Sequence, residues 1–181
     1  MTTNFRRVAL LALATLAWCS AVLAQPAMLP TTWRVQGEGE MRWFGLSIYS
    51  ARLWTPFGAP LADANAGQKD AAFALELTYS RDIAGANLVK TSIDELNRLG
   101  WRDEATLQRW REALAVVFPD VREGERIIGM REPAGGAVFY HQDRLTGRLG
   151  DPELAGAFFA IWFDPRTREP KLRARLLGIS G

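Results

Sequence analysis

The chain has 181 residues, with 22 lysines and arginines against 20 aspartates and glutamates, one histidine and one cysteine. Two of the arginines, Arg6 and Arg7, lie in an N-terminal leader, so the remainder is balanced in charge and gives no support for a nucleic-acid or acidic-membrane partner. The cysteine, Cys19, belongs to the same leader, which excludes a disulfide framework in the rest of the chain.

In the leader, Arg6 and Arg7 form a short basic region, Val8 to Trp18 an apolar core, and Val22-Leu23-Ala24 compact residues before Gln25. That order predicts a secretory signal peptide over residues 1–24, cleaved to release a single domain over 25–181. A retained membrane helix needs about 20 apolar residues, and Gln25 and Pro26 interrupt the run. Trp18 precedes Cys19 where lipoprotein processing requires a small residue, so acylation is not expected. The twin arginines suggest a route for folded cargo, although no cofactor signature gives a reason for it. The expected location is periplasmic or secreted.

From Gly37 to Trp54 the sequence reads as a long apolar hairpin. Alternation places Trp33, Val35 and Met41 on one face and Arg34, Gln36, Glu38, Glu40 and Arg42 on the other. In the next strand Phe44, Leu46 and Ile48 share one side and Trp43, Tyr49, Ala51 and Leu53 the other, the pattern of a strand covered on both faces or bordering a cavity. A loop rich in Pro, Gly, Ala and Asp runs from Thr55 to Lys69. Phe73 to Tyr79 alternates as a strand with one buried face. Ser80 or Asp82 is the expected cap of a helix with an apolar stripe of Leu88 or Val89, Ile93, Leu96 and Leu99, ending at Gly100.

A second helix starts near Asp103, carries Leu107, Trp110, Leu114, Val117 and Phe118 inward, and stops at Pro119. Three short strands come next, Arg126 to Arg131, Ala137 to His141 and Arg144 to Leu149, joined by the Pro133-Ala134-Gly135-Gly136 turn and by a tight turn at Gln142-Asp143. Asp151-Pro152 opens a helix that Asp164-Pro165 closes, and a basic helix around Lys171 to Leu177 ends at Gly178. Antiparallel strands with grouped helices predict an α+β fold, one sheet under a layer of helices.

Together these residues resemble the chalcone isomerase-like family, in its bacterial exported branch. The resemblance rests on Gly37-x-Gly39 and Arg42 ahead of Ile48-Tyr49, on Tyr79-Ser80 leading into a helix pair, and on Ala157 to Trp162 followed by Leu172 to Gly178. It implies an open-faced sandwich, a curved antiparallel sheet against helices with a ligand cleft between them. Members either close a chalcone into a flavanone or bind fatty acids without catalysis. The isomerases use a strand arginine, a tyrosine and an asparagine near the first helix, and two hydroxyl residues, which position a phenolate and stabilise charge on the carbonyl oxygen.

By this resemblance Arg42 stands for the arginine, although counting from Tyr49 puts Met41 in its register. Tyr79 matches the tyrosine, and Asn87 falls one residue late. Phe44 and Ala155 occupy the hydroxyl positions and cannot donate. The resemblance therefore implies a non-catalytic binder of a small apolar molecule such as a fatty acid, with Arg42, Tyr79, Asn87 and Tyr49 as candidate ligand-binding residues. The alternatives are a structural or protein-interaction module and a chalcone-to-flavanone isomerase. No cofactor is expected.

Simpler roles compete for each residue. Arg42 suits a surface pair with Glu40, and Tyr49 and Tyr79 suit core tyrosines with locally satisfied hydroxyls. His141 stands alone and makes no metal site. Trp110 and Trp162 lie on helical apolar stripes, whereas Trp43, Trp54 and Trp101 are candidate rim residues. No nucleophile motif, phosphate loop or metal-ligand spacing is present.

Overall fold

The structure, a computed structural model, describes residues 25–62, 71–133 and 135–179. The segment 1–24 expected to be a signal peptide, with Cys19, part of the Thr55 to Lys69 loop, and Ala134 of the later turn lie outside the described residues.

Six strands form one antiparallel sheet in sequential order. They are β1 (Trp33–Trp43), β2 (Leu46–Pro56), β3 (Phe73–Tyr79), β4 (Arg126–Arg131), β5 (Ala137–His141) and β6 (Arg144–Leu149). Helices α1 (Gly85–Leu99) and α2 (Glu104–Val117) connect β3 to β4, and α3 (Pro152–Phe163) and α4 (Pro170–Leu177) come after β6. All four pack on one face, which makes the fold the expected α+β open-faced sandwich. The main core lies between the layers, where the Phe73 ring meets Phe159 edge-on at 4.8 Å. The opposite face carries a smaller cluster of Leu29, Trp33, Trp54, Ala74 and Ile128.

Two irregularities set the hairpin's faces. Val35 pairs with Trp54 but Gly37 with Leu53, so Gln36 is an extra residue in β1. Such a bulge reverses the alternation beyond it. Trp33 and Val35 therefore share the outer face with Trp54, while Gly37, Gly39 and Met41 turn toward the helices; the single-face grouping of Trp33, Val35 and Met41 is corrected on that ground. Gln36 itself clamps the chain, donating to Leu61 O at 2.9 Å and Leu177 O at 3.2 Å and accepting from Leu61 N at 2.7 Å. Glycine at 37 and 39 is a packing requirement of α4. A Cβ at Gly37 would collide with the Arg175 and Leu176 carbonyls, and one at Gly39 would lie 2.7 Å from Leu172 Cδ1.

The second bulge lies between the pairs Met41–Tyr49 and Arg42–Ser47, where Ile48 is the extra residue. Phe44, expected on a strand face, instead forms a two-residue turn with Gly45 at φ +47° and +82°. Two-residue hairpin turns of this hand favour Asn-Gly or Asp-Gly. Phenylalanine in the left-handed region costs on the order of 1–2 kcal/mol.

The helices follow their stripes. Val89, Ile93, Leu96 and Leu99 of α1 are buried, as are Leu107, Trp110, Leu114 and Val117 of α2. Asp103 caps α2 by accepting from Thr106 N at 2.8 Å, and Asp151 caps α3 through Glu153 N at 2.8 Å. The cap expected for α1 is corrected: Ala84 holds the position, and the Gly85 N–H donates instead to Asp120 Oδ1 at 2.8 Å. Ser80 is occupied with Ser47 at 2.9 Å, and Asp82 accepts from Glu123 N at 2.8 Å. Trp54 is also corrected, from rim to outer-face core.

The candidate ligand cleft

A cavity of about 470 Å³ opens between the sheet and helices α1 and α3. Its floor comes from Tyr49, Leu75, Leu77, Tyr79, Ile127 and Gly129 on strands β2 to β4. Leu88, Thr91 and Glu95 line it from α1, and Phe158, Phe159 and Trp162 from α3. Gly129 is needed here because a Cβ would lie 2.9 Å from the Phe139 ring and 3.3 Å from the Phe159 ring. At the mouth stand Trp43 and Ile48, the latter aimed inward by its bulge.

Three of the four sequence candidates border this space. Tyr49 and Tyr79 face each other edge-on with ring centres 6.1 Å apart, because the two residues are direct partners across β2 and β3. The Trp162 indole donates to Tyr49 Oη at 3.0 Å, which leaves the Tyr49 proton available. No hydrogen bond joins the Tyr79 hydroxyl to another described residue. Burial pushes both phenols above their ordinary range, with Glu169 and Glu95 adding to the effect at Tyr49 and Trp162 opposing it. Both remain neutral donors at physiological pH. Asn87, in the first turn of α1, stands exposed on the rim.

Arg42 lies outside the lining. Its side chain is 60% exposed, approaches Glu40 Oε2 at 3.4 Å and donates to Gly45 O at 3.0 Å. The basic group that does border the cleft is Arg168, whose Nε donates to Glu95 Oε1 at 2.7 Å. Glu95 holds Arg98 as well, at 2.7 Å. Sequence reasoning missed Arg168 because it faces α1 only through the chain reversal after α3. The one local signal was the Glu95–Arg98 spacing on α1.

The other hydroxyls divide into spent and open. Ser92 donates to Leu88 O at 2.8 Å and Thr167 to Ile161 O at 2.7 Å. Thr91 is exposed at the entrance. Phe44 and Ala155, read as replacements for hydroxyl donors, do not border the cleft: the first is at the hairpin tip, the second within the α3 core. His141 pairs with Glu125 at 2.9 Å away from the lining, and that bond, after one from the Arg122 N–H, holds the Glu125 carboxyl below its ordinary range. No group of three or more metal-ligating side chains occurs among the described residues.

An antiparallel sheet with an apolar cleft under helices, polar only at a few hydroxyls and the rim, has the form of a small-molecule site. The match to the chalcone isomerase-like family model over residues 30–178 makes the assignment specific: the chain belongs to the chalcone isomerase-like family. Among solved structures it is similar to a fatty-acid binding protein of Arabidopsis thaliana, with a TM-score of 0.60 at 14% identity over 84% of this chain and 90% of that one. No curated protein matches the sequence.

Proposed function

We propose that the chain is a non-catalytic binding protein that holds a small apolar ligand, such as a fatty acid, in the cleft between sheet and helices. The observation that carries this reading is the cleft itself, a space of about 470 Å³ walled by leucine, isoleucine and phenylalanine and bordered by two neutral tyrosines, Tyr79 buried and Tyr49 half-buried. The similarity in fold to a fatty-acid binding protein supports it. Burial of an apolar chain supplies the affinity, at roughly 25 cal/mol per Å² before the cost of ordering the ligand. In this reading Tyr79 donates to the polar head, Tyr49 donates beside it, and Asn87 meets it at the rim. Arg42 stays outside the contact.

Titration with a fluorescent fatty acid tests the proposal. Wild type should saturate at one site, Thr91→Trp should block entry, and Tyr79→Phe should weaken binding roughly 3- to 10-fold, the order of one hydrogen bond. Absence of saturable binding in the wild type would move the reading to a protein-interaction module. A rapid cyclisation of a hydroxylated chalcone above the spontaneous rate would move it to an isomerase.

We also propose that residues 1–24 direct export and that the domain works in the periplasm or outside the cell. The basic, apolar and small-residue zones of that segment support this. Secreted protein should begin near Gln25 on N-terminal sequencing, and a membrane-bound form acylated at Cys19 would sink the idea.

A further inference from the structure

The tip of the β1–β2 hairpin presents three neighbouring apolar side chains to solvent: Trp43 at 49% exposure, Phe44 at 90% and Leu46 at 59%. Trp43 and Phe44 meet edge-on at 5.0 Å. The turn does not require them. The β5–β6 hairpin has a turn of the same kind, with Gln142 and Asp143 at φ +47° and +65°, and fills it with two polar residues that both accept from Arg126. At the first hairpin a bulky ring is held in a disfavoured backbone conformation and pointed into solvent. Such strain is kept where the exposed group has a use.

Position and charge indicate the use. Trp43 belongs to the exposed patch and to the cleft mouth at once, so the two are continuous. Arg42, which keeps an exposed 3.4 Å contact with Glu40, flanks the tip, and Arg81 comes directly after Ser80, which is tied to Ser47 of the same hairpin at 2.9 Å. Arg81 makes no ion pair with a described residue. A narrow convex tip with a tryptophan, a phenylalanine, a leucine and two flanking guanidinium groups suits the boundary between lipid headgroups and acyl chains. Three partly exposed side chains of at most about 250 Å² each fall short of the roughly 800 Å² per partner of a stable protein interface.

We propose that the hairpin tip docks on a lipid surface, Trp43, Phe44 and Leu46 entering the interface while Arg42 and Arg81 meet anionic headgroups. The attraction is local, since the chain as a whole is near neutral. Docking stands independently of the cleft's contents, whereas transfer of a ligand from the bilayer past Trp43 rests on the binding reading above.

The experiment is flotation of the chain beginning at Gln25, which contains every described element, with vesicles of neutral phosphatidylcholine alone or mixed with anionic phosphatidylglycerol. Wild type should float with the mixed vesicles and more weakly with the neutral ones. Phe44→Asn, which restores a favoured Asn-Gly turn, should lower the bound fraction roughly tenfold, the order for withdrawing one aromatic ring, while melting no earlier than wild type. Arg42→Gln with Arg81→Gln should abolish the preference for anionic vesicles. Failure of the wild type to float, equal flotation of Phe44→Asn, or a wild-type dimer in solution that Phe44→Asn dissolves would each overturn the proposal. Monomeric fluorescent fatty acid should bind Phe44→Asn and wild type within about twofold. Vesicle binding without fatty-acid binding would leave docking intact and remove the ligand reading instead.

Discussion

On the outer face of the sheet Glu76 is 3% exposed and receives the Trp54 indole proton at 2.7 Å, with Arg126 a further 3.7 Å contact. On the helix-covered face Arg131 is equally buried, lies against Gly156, and has a guanidinium nitrogen that meets no acceptor among the described residues. Burial alone lowers its pKa. The outer cluster thus closes on its own polar group, as buried carboxylates in a purely structural layer must. The inner face combines an apolar cleft, a tyrosine hydroxyl without a described partner, and a cation without a described counter-charge. Unmet polar capacity and the larger, apolar cavity occur on the same side of the sheet, whereas the smaller opening on the outer side is polar and includes the paired Glu76 and Arg126. That coincidence separates the face to which binding is proposed from the face that packs the outer cluster.

The contrast is broken most directly at Trp54. Trp54→Ala should destabilise the protein by about 3–5 kcal/mol in chemical denaturation, from the lost ring and the stranded Glu76 carboxylate, yet leave fatty-acid affinity in the surviving folded fraction unchanged. Altered affinity would mean that the two faces are coupled. Arg131→Met tests the other side. Replacing an unpaired buried guanidinium by an apolar chain of similar reach should raise stability by about 1–3 kcal/mol. A loss of stability would show that Arg131 has a partner in solution, and the contrast with Glu76 would fail.

Much of this arrangement was legible in the sequence because its causes are local. The strands at 126–131, 137–141 and 144–149 are short alternating runs bounded by Pro, Gly and Asp, and their ends fall where those residues dictate. The helix stripes of α1 and α2 were equally plain. The α1 cap was not, because its carboxylate comes from Asp120, beyond the whole helix pair. The faces of β1 were misread since Gln36 looks like one more polar residue in an alternating strand, and only the pairing with β2 reveals it as a bulge. Phe44-Gly45 passed for strand because a turn of that hand is normally announced by Asn or Asp. In the cleft, Tyr49 and Tyr79 followed from strand pattern and family resemblance. The Arg168–Glu95 rim depends on a long-range approach that no spacing records.

The two tyrosines sharpen the comparison at high pH. Both fold with phenol pKa values held above the ordinary range, chiefly by burial. The folded protein therefore retains these protons after the unfolded chain has released them. Below about pH 10 both states are protonated and the contribution is flat. Above it the unfolded state binds fewer protons, so stability falls as pH rises, by about 1.4 kcal/mol per pH unit for each tyrosine. Denaturant unfolding followed from about pH 8 to about pH 11 should show that decline, and the Tyr49→Phe, Tyr79→Phe double variant should flatten it even if it starts from lower stability. The slope isolates the cleft, because it reads proton release and not packing loss. An unchanged slope in the double variant would mean that the phenols ionise within the folded protein, which requires water beside Tyr79 and Tyr49 and would turn the apolar pocket into a solvated one.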